Sequence, residues 1–179
     1  RLMNLMNDLL DLSSLESDSI IQKDPISTEE FSQRMLKQMQ TAFDAKKQRV
    51  EVVCLAETVF ADSQRLEQVL INLLSNANKY TPAGGRIVVE WKDKGDDTIL
   101  KVQDTGPGIP VEHHARLFER FYRVDKARSR EQGGTGLGLA IVKHIMQRHE
   151  GAIWVESRPG EGSAFYCRFP GADSLASPS

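Results

Sequence analysis

The sequence predicts an α+β domain, and its apolar pattern is the main evidence. Apolar residues at steps of three and four are typical of helices with one buried face. Such segments follow a capping box at 27–30, lie within 62–82, and run from 139 to near 151. Other segments alternate apolar and polar residues, as half-buried strands do. These strand segments are 50–55, 59–62, 86–92, 100–104, 152–157 and 163–169.

Composition and charge limit the function. The 179 residues are 40% hydrophobic and carry a formal net charge of -2, which predicts one domain of ordinary size and argues against a general nucleic-acid binder. No run approaches about 18 apolar residues, and nothing resembles a signal peptide, so we expect a soluble piece. Cys54 and Cys167 lie in apolar segments without metal-ligand spacing, which indicates free thiols in a reducing compartment.

The first 16 residues have the pattern of a helix that needs partner helices. Leucines recur at positions 2, 5, 9 and 12, beside a second apolar seam. The alternative is a terminal helix that folds back on its own domain. Because the pattern is already helical at Arg1, we expect a fragment of a longer protein. Residues 17–22 have the character of a linker.

The helix within 62–82 carries the first candidate site. Asn72, Asn76 and Lys79 lie four and three residues apart, on one shoulder of its apolar face and beside Tyr80. An amide oxygen suits Mg²⁺, and a lysine suits phosphate. The alternative is a solvated polar shoulder.

A second candidate site follows the strand that ends at Asp104. The period of two places Asp104 on the same face as Leu100 and Val102, so its carboxylate is expected on the core side. A buried carboxylate needs donors, and the amino group of a purine would supply one. Gly106 and Gly108 follow, and they let the backbone approach a ligand closely. The alternative is an ordinary Gly-Pro turn with an Asx cap.

A charged segment separates two further motifs. Residues 112–123 predict a short helix with aromatic anchors, and 123–133 lack apolar periodicity, which favours a mobile flap. The glycine-rich turn 133–139 then enters the third helix, where free backbone amides and the helix dipole favour an anion. No Gly-Lys-Ser/Thr follows, and a flap rather than a strand precedes it, so it resembles neither a Walker loop nor a Rossmann fingerprint.

Five short motifs follow one another along the chain. They are Asn72...Asn76-Ala77-x-Lys79-Tyr80-Thr81-Pro82, Asp104-x-Gly106-x-Gly108-Ile109, Leu117-Phe118-x-x-Phe121-Tyr122-Arg123, Gly134-Thr135-Gly136-Leu137-Gly138-Leu139, and Gly160-x-Gly162-Ser163-x-Phe165. In order and spacing they resemble the N, G1, F, G2 and G3 boxes of the catalytic and ATP-binding domain of sensor histidine kinases. Within that family the chain is most similar to the phosphate-regulon sensor group. The resemblance covers about residues 20–169.

The resemblance implies a Bergerat ATP-binding fold of the GHKL type. This is a two-layer α+β sandwich in which three helices cover one face of a mixed, mostly antiparallel sheet. The catalytic domain would span 23–169, with ATP between the two long helices under a flexible lid at about 118–135. Residues 1–16 resemble the distal part of the second helix of the dimerisation and phosphoacceptor hairpin. Residues 170–179 are expected to be a disordered tail.

The resemblance also implies roles at the phosphates. Asn76 would hold Mg²⁺ with support from Asn72, Lys79 would meet phosphate, and Arg123 would reach the terminal phosphate. Asn72, Asn76 and Arg123 are therefore the expected catalytic residues. The residues expected to wrap the phosphate chain are Gly134, Thr135, Gly136, Leu137, Gly138 and Leu139. Catalysis would be mostly positioning and charge neutralisation.

Around the base, Asp104 would accept from the adenine amino group. Gly106 and Gly108 would give the base room, and Tyr80 and Ile109 would line its faces. The remaining residues implied in nucleotide binding are Phe118 and Phe121, which would anchor the lid, and Ser163.

The phosphoacceptor histidine is absent from this chain. Its histidines, at positions 113, 114, 144 and 149, all lie within the ATP domain, and none is followed by the Glu, Arg and Pro pattern of the acceptor box. We therefore expect the chain to bind Mg-ATP without phosphorylating itself. The intact homodimer would pass the phosphoryl group to its own histidine and then to an aspartate of a response regulator. We expect a cytoplasmic location, as the cytosolic portion of a membrane-bound sensor.

Two alternatives keep a nucleotide site but change the activity. The chaperone, topoisomerase and mismatch-repair ATPases have a similar N box with a glutamate where this chain has Asn72, and an amide cannot take a proton from water. A non-catalytic binding or dimerisation module is the other alternative. The complete set of boxes argues against it.

Overall fold

The computed structural model describes residues 5–10, 13, 20–124 and 136–172. In chain order its elements are β1 Asp24–Ser27, α1 Thr28–Ala45, β2 Arg49–Cys54, β3 Thr58–Ala61, α2 Ser63–Tyr80, β4 Arg86–Lys94, β5 Asp97–Asp104, α3 Val111–His114, α4 Gly138–Arg148, β6 Ala152–Arg158 and β7 Gly162–Phe169. Residues 5–10 are also helical, and Leu5 packs against the core.

The main sheet has five strands in the order β2-β4-β5-β7-β6. β2 pairs parallel to β4, and the other neighbours pair antiparallel. β1 and β3 form a separate antiparallel pair. The prediction of a mixed, mostly antiparallel sheet is therefore confirmed.

The three long helices bury their apolar stripes against this sheet. Fully buried side chains from both layers form one core, among them Met35, Leu70, Ile87, Leu100 and Ile145. Trp91 of β4 is enclosed there; its ring packs edge-on against Phe31 with centroids 6.2 Å apart, and its Nε1 donates to Ser32 Oγ over 2.7 Å. This satisfied donor lets a large polar-tipped ring lie in the core. The predicted two-layer α+β sandwich is confirmed.

The ends of α1 and α2 follow the predicted capping. Ser27 accepts a hydrogen bond from the Glu30 amide, and Asp62 accepts one from the Arg65 amide over 3.1 Å. Thr81 then takes an extended conformation before Pro82, as a residue preceding proline should. These caps fix where the polar shoulder of α2 begins and ends.

The predicted helix over 112–123 is wrong in length, because α3 ends at His114. The backbone continues in tight turns, in which the amides of Arg116 and Glu119 donate to carbonyls three residues earlier. Phe121 has a positive φ of 64°, which no α-helix accommodates. Of the expected flap and lid, residues 125–135 lie outside the described residues, as do residues 173–179 of the expected tail.

Candidate nucleotide site

The polar shoulder of α2 faces the start of α4. The Nδ2 of Asn72 donates to the Gln68 carbonyl over 2.8 Å, which fixes the side chain and leaves Oδ1 as its remaining polar atom. A Cβ at Gly138 would lie 3.1 Å from that Oδ1. Asn76 lies one turn further along α2 and is half-buried. Two motifs that are 66 residues apart in sequence (138 − 72) therefore meet in space.

Two cationic side chains lie close together beside this meeting point. Burial lowers the pKa of Lys79, the Asp8 carboxylate opposes that shift, and the positive charge of Arg123 adds to it. Arg123 is held near α4, since a Cβ at Gly136 would lie 3.2 Å from its Nε. The two positive charges repel each other, so a nearby anion would be favoured.

The beginning of α4 presents backbone rather than side chains. Leu137 precedes the helix without a side-chain cap, and its own side chain is fully buried. Leu139 also packs against the core. The Leu137 side chain does not cap the first amides of this 11-residue helix, and backbone amides at a helix start suit an anion. Gly134 and Thr135, the other expected members of this turn, lie outside the described residues.

Asp104 ends β5 as a buried carboxylate with 6% of its surface exposed. Its Oδ1 accepts from the amides of Gly106 at 2.9 Å and Ser163 at 3.3 Å. Burial raises the pKa of Asp104, and these two hydrogen bonds partly oppose the shift. Both bonds end on the same oxygen, so Oδ2 remains to accept a further donor.

The loop after Asp104 depends on close backbone contacts. A Cβ at Gly108, where φ is +77°, would lie 2.0 Å from the Arg158 carbonyl oxygen, so this glycine packs the loop on the β6–β7 hairpin. A Cβ at Gly106 would lie 2.9 Å from both Asp104 Oδ1 and the Tyr80 carbonyl oxygen. The loop therefore touches the end of α2, whose last residue is half-buried Tyr80, and half-buried Ile109 follows Gly108 in the loop.

A serine that the sequence did not single out ties these parts together. Ser157 Oγ accepts from the Ile109 amide over 2.7 Å and lies 2.8 Å from Ser163 Oγ. Since the Ser163 amide in turn donates to Asp104, one chain of hydrogen bonds links the loop, the hairpin and the acid. A lone serine in an alternating strand gives no sequence signal for this role.

The two phenylalanines of the F motif differ. Phe118 packs edge-on against Phe165 with ring centroids 6.3 Å apart. The Phe121 ring is 53% exposed, and it is the Phe121 amide that is held, by donating to the Gly136 carbonyl over 2.8 Å. Phe118 thus attaches the segment through its side chain and Phe121 through its backbone.

Comparison with known proteins gives the family. The model of the histidine kinase-, DNA gyrase B- and HSP90-like ATPases matches residues 61–173. The chain belongs to this ATPase family. That span contains every candidate residue described above.

Relatives within the ATPase family are sensor histidine kinases. The chain is 39% identical over 171 residues to the phosphate regulon sensor protein PhoR of Pseudomonas aeruginosa, covering 94% of this chain and 39% of PhoR. The mycobacterial sensor histidine kinase MprB is 32% identical, with a TM-score of 0.72 over 84% of this chain and 98% of that one. Full-length ShkA in complex with AMPPNP is 29% identical, with a TM-score of 0.83 over 94% of this chain and 35% of that one. The chain is thus a GHKL-type ATP-binding domain of the histidine kinase class, as the sequence predicted.

The residues present fit Mg²⁺ only together with a nucleotide. Among the described residues, no group of three or more His, Cys, Asp or Glu side chains is arranged to hold a metal ion. Asn72 and Asn76 supply neutral amide oxygens on neighbouring turns. Mg²⁺ commonly binds through one or two protein oxygens plus substrate phosphates, so this ATPase-family site suits a nucleotide-bound ion.

The C-terminal end of α2 is held by two residues that the sequence analysis did not identify. Lys46 Nζ donates to the Asn78 carbonyl over 2.7 Å, and Gln48 Nε2 donates to the Thr81 carbonyl over 2.7 Å. Both satisfy carbonyls at a helix end, where a cation is also favourable. They fix the turn that carries Lys79. Their role depends on the contact of the turn between α1 and β2 with the end of α2, which leaves no mark in the local sequence.

His149 is fully buried where the end of α4 meets the start of α2, at the other end of α4 from the candidate site. Its Nε2 accepts from the Asp62 amide over 3.1 Å, and its Nδ1 lies 2.9 Å from the Ile145 carbonyl oxygen, to which it donates. Burial lowers the pKa of His149. This neutral ring joins the end of α4 to the start of α2, so it is structural in the ATPase fold.

In the described part of the chain, no helix is long and apolar enough to span a membrane.

Proposed function

We propose that this chain binds Mg-ATP and positions its terminal phosphoryl group for transfer to a histidine on a separate helical hairpin of the same protein. The observation that carries this proposal is the convergence of Asn72, Lys79 and Arg123 with the uncapped start of α4. Amide oxygens, two cations and the backbone amides of a helix start together suit a metal-bound triphosphate.

At the phosphates, each group has a distinct role. Lys79 and Arg123 offset the negative charge, with Arg123 toward the terminal phosphate. Asn76 would hold Mg²⁺, with Asn72 in support, and the bound ion would neutralise phosphate charge. The amides around Gly136 and Gly138 donate to phosphate oxygens, as those of Gly134 and Thr135 would. None of the described residues at this end of the site is placed as a strong base, which suits phosphoryl transfer by positioning and electrostatics.

At the base, Asp104 accepts the adenine amino group through Oδ2. Tyr80 and Ile109 lie on the two faces of the ring, with space left by Gly106 and Gly108. Ser163 acts by orienting Asp104 through its amide. Phe118 and Phe121 hold the segment that covers the nucleotide.

The acceptor and the downstream partner lie on other segments. The chain spans 39% of the length of PhoR, and residues 1–16 would be the end of the hairpin that carries the acceptor and dimerises the intact protein. A response-regulator aspartate would then receive the phosphoryl group. The intact protein would be a membrane-bound sensor with this domain in the cytosol.

A reconstitution experiment tests the proposed reaction. The chain is mixed with a separately produced hairpin domain of a PhoR-like kinase and with ATP labelled at the γ-phosphate. We expect label on the hairpin histidine, as an acid-labile and base-stable phosphoramidate, and none on this chain. Asp104→Asn, in which the base contact is lost, should strongly reduce the labelling at ATP concentrations below the dissociation constant of the parent chain.

The same assay separates the alternative ATPase activity. Rapid release of labelled phosphate without any labelled hairpin would favour hydrolysis over histidine phosphorylation. The amide at position 72 argues against hydrolysis, because it cannot act as a base toward water. Absence of Mg-dependent ATP binding would refute both activities.

A further inference from the structure

The segment between α3 and Arg123 contains a cluster that the proposed nucleotide contacts do not explain. Nδ1 of His113 and the hydroxyl of Tyr122 share a hydrogen bond, and their ring centroids are 5.9 Å apart. The guanidinium carbon of Arg116 lies 4.6 Å from the centroid of the Tyr122 ring, within the range of a cation–π contact. Tyr122 is therefore held both at its hydroxyl and on its ring. We call His113, Arg116 and Tyr122 the latch.

The backbone beside the latch needs to be held. Phe121 has a φ of 64°, a conformation that costs a residue with a side chain about 1–2 kcal/mol. The Phe121 ring is exposed, so its packing does little to offset this cost. Contacts that maintain the turn include the hydrogen bond from the Phe121 amide to the Gly136 carbonyl on one side and the latch on the other.

The latch lies one peptide bond from the proposed phosphate ligand. Arg123 follows Tyr122 directly, and its Nε is 3.2 Å from where a Cβ of Gly136 would be. A rotation of the Tyr122 backbone would therefore swing Arg123 away from the start of α4. Small displacements of a positioning group can reduce catalysis strongly.

We propose that His113 is a positioning residue for the terminal phosphate: through its hydrogen bond to Tyr122 it fixes the turn that directs Arg123 into the site. This inference rests on the proposed function, because it requires a triphosphate beside Arg123. His113 itself does not touch the nucleotide.

The test compares Mg-ATP with Mg-ADP, since only ATP has the phosphate that Arg123 would meet. Binding of both nucleotides to the chain is measured by calorimetry for His113→Leu, Tyr122→Phe and the double variant. We expect each single variant to lower ATP affinity about fivefold, the net value of one hydrogen bond, and to change ADP affinity less than about twofold. The double variant should be no weaker than either single variant, because both remove the same bond.

Two further variants separate positioning from general stability. His113→Asn, whose short side chain places an amide near the position of Nδ1, should restore much of the ATP affinity. Tyr166→Phe loses a comparable hydroxyl bond, 3.1 Å to Glu156 on the β6–β7 hairpin, and should leave both affinities unchanged. Thermal unfolding of each variant shows which are folded, and Tyr122→Phe carries the test if His113→Leu unfolds.

Arg123→Gln distinguishes failure of the latch from failure of the proposed function. Suppose that Arg123→Gln lowers the affinity for ATP but not for ADP. If the latch variants then change neither affinity, or lower the ATP and ADP affinities equally, His113 has no positioning role and the proposed function stands. If Arg123→Gln leaves the ATP-to-ADP ratio unchanged, the terminal-phosphate role of Arg123 and the latch inference fall together. Additive losses in the double variant would also overturn the latch.

Discussion

The two ends of the candidate site are built differently. At the base end, Asp104 and the loop after it are fixed by the protein's own amides and by backbone contacts too close for any side chain. At the phosphate end, half-buried asparagines on α2 face a helix start that its Leu137 N-cap side chain leaves uncovered, and Lys79 and Arg123 repel each other. The base end is therefore formed by folding alone, whereas the phosphate end gains from an anion. Changes at the base end should alter folding or base recognition, and changes at the phosphate end should alter binding alone.

The largest effect is expected where the base end depends on a glycine. Gly162 has a φ of +86°, and a Cβ there would lie 2.1 Å from the Asp104 carbonyl oxygen. Gly162→Ala should lower the free energy of unfolding by roughly 3 kcal/mol or more, from backbone strain and overpacking together. Urea unfolding measures this loss.

Gly160→Ala is the matched control in the same turn. Its φ is +82°, but apart from its two chain neighbours no atom of the described residues lies within 4 Å of its Cβ position. Strain alone predicts a loss of about 1–2 kcal/mol. Equal losses for the two variants would mean that close contact with Asp104 does not stabilise the base end.

Replacing the buried acid should affect base recognition next. In Asp104→Asn the NH₂ group must face either the Gly106 and Ser163 amides or the adenine amino group, and all of these are donors. ATP affinity should fall about 30-fold or more, the equivalent of about 2 kcal/mol. The affinity for GTP should fall less than that for ATP, since guanine has a carbonyl oxygen where adenine has the amino group. Calorimetry with both nucleotides measures the change.

Asp97→Asn, at the opposite end of β5, controls for loss of a carboxylate. Asp97 accepts from Arg168 over 2.8 Å and lies outside the site. Its substitution should leave both affinities unchanged. An Asp104→Asn variant that binds ATP as well as the parent would contradict the assignment of the base end.

At the phosphate end, Asn76→Asp should weaken binding while the fold survives. A carboxylate beside the phosphate chain adds repulsion of the order of 1–2 kcal/mol at partly buried sites, so Mg-ATP affinity should fall about tenfold. Gln64→Glu adds the same charge at an exposed position of α2 and should have little effect. A variant that unfolds, or that binds as tightly as the parent, would count against Asn76 as the metal ligand.

The smallest effect is expected at His149, which joins the end of α4 to the start of α2. Because burial lowers the pKa of His149, the unfolded chain takes up a proton at a higher pH than the folded one. The stability that neutral, buried His149 contributes is fully present above the ordinary histidine pKa of about 6.5. It is lost as the pH falls through and below that value. Because one group takes up at most one proton, the free energy of unfolding should change with pH by less than about 1.4 kcal/mol per pH unit.

His149→Gln removes this titration while keeping a donor and an acceptor. Urea unfolding between neutral and mildly acidic pH should be steeper in pH for the parent than for this variant. The groups facing the ring, Lys23, Asp62 and Arg65, are unchanged in the comparison. Parallel pH dependences would show that His149 is not protonated on unfolding.

The sequence predicts best what depends on periodicity and on glycine. The apolar face of α2, the alternation of the strands and the strand-end position of Asp104 each follow from spacing of three to four or two residues, and the structure has them all. The order of motifs also identifies the ATPase family correctly. Local pattern is sufficient there because each feature arises within one element.

Features that arise between elements are not visible in the sequence. Ser157, Lys46 and Gln48 act on residues 30 or more positions away. The overlong helix predicted over 112–123 has the same cause, since the positive φ of Phe121 is maintained by Gly136 across the site. Such roles are decided by packing and not by the residue's neighbours in the chain.

The most direct test of the account is an NMR titration of the labelled chain with Mg²⁺ and AMPPNP. We predict that the side-chain amides of Asn72 and Asn76, the backbone amides of Gly136 and Gly138, and the amide of Gly106 beside Asp104 shift together with a single dissociation constant. Shifts confined to one of these regions, or centred elsewhere on the fold, would contradict the claim that α2, α4 and the base end bind the same nucleotide.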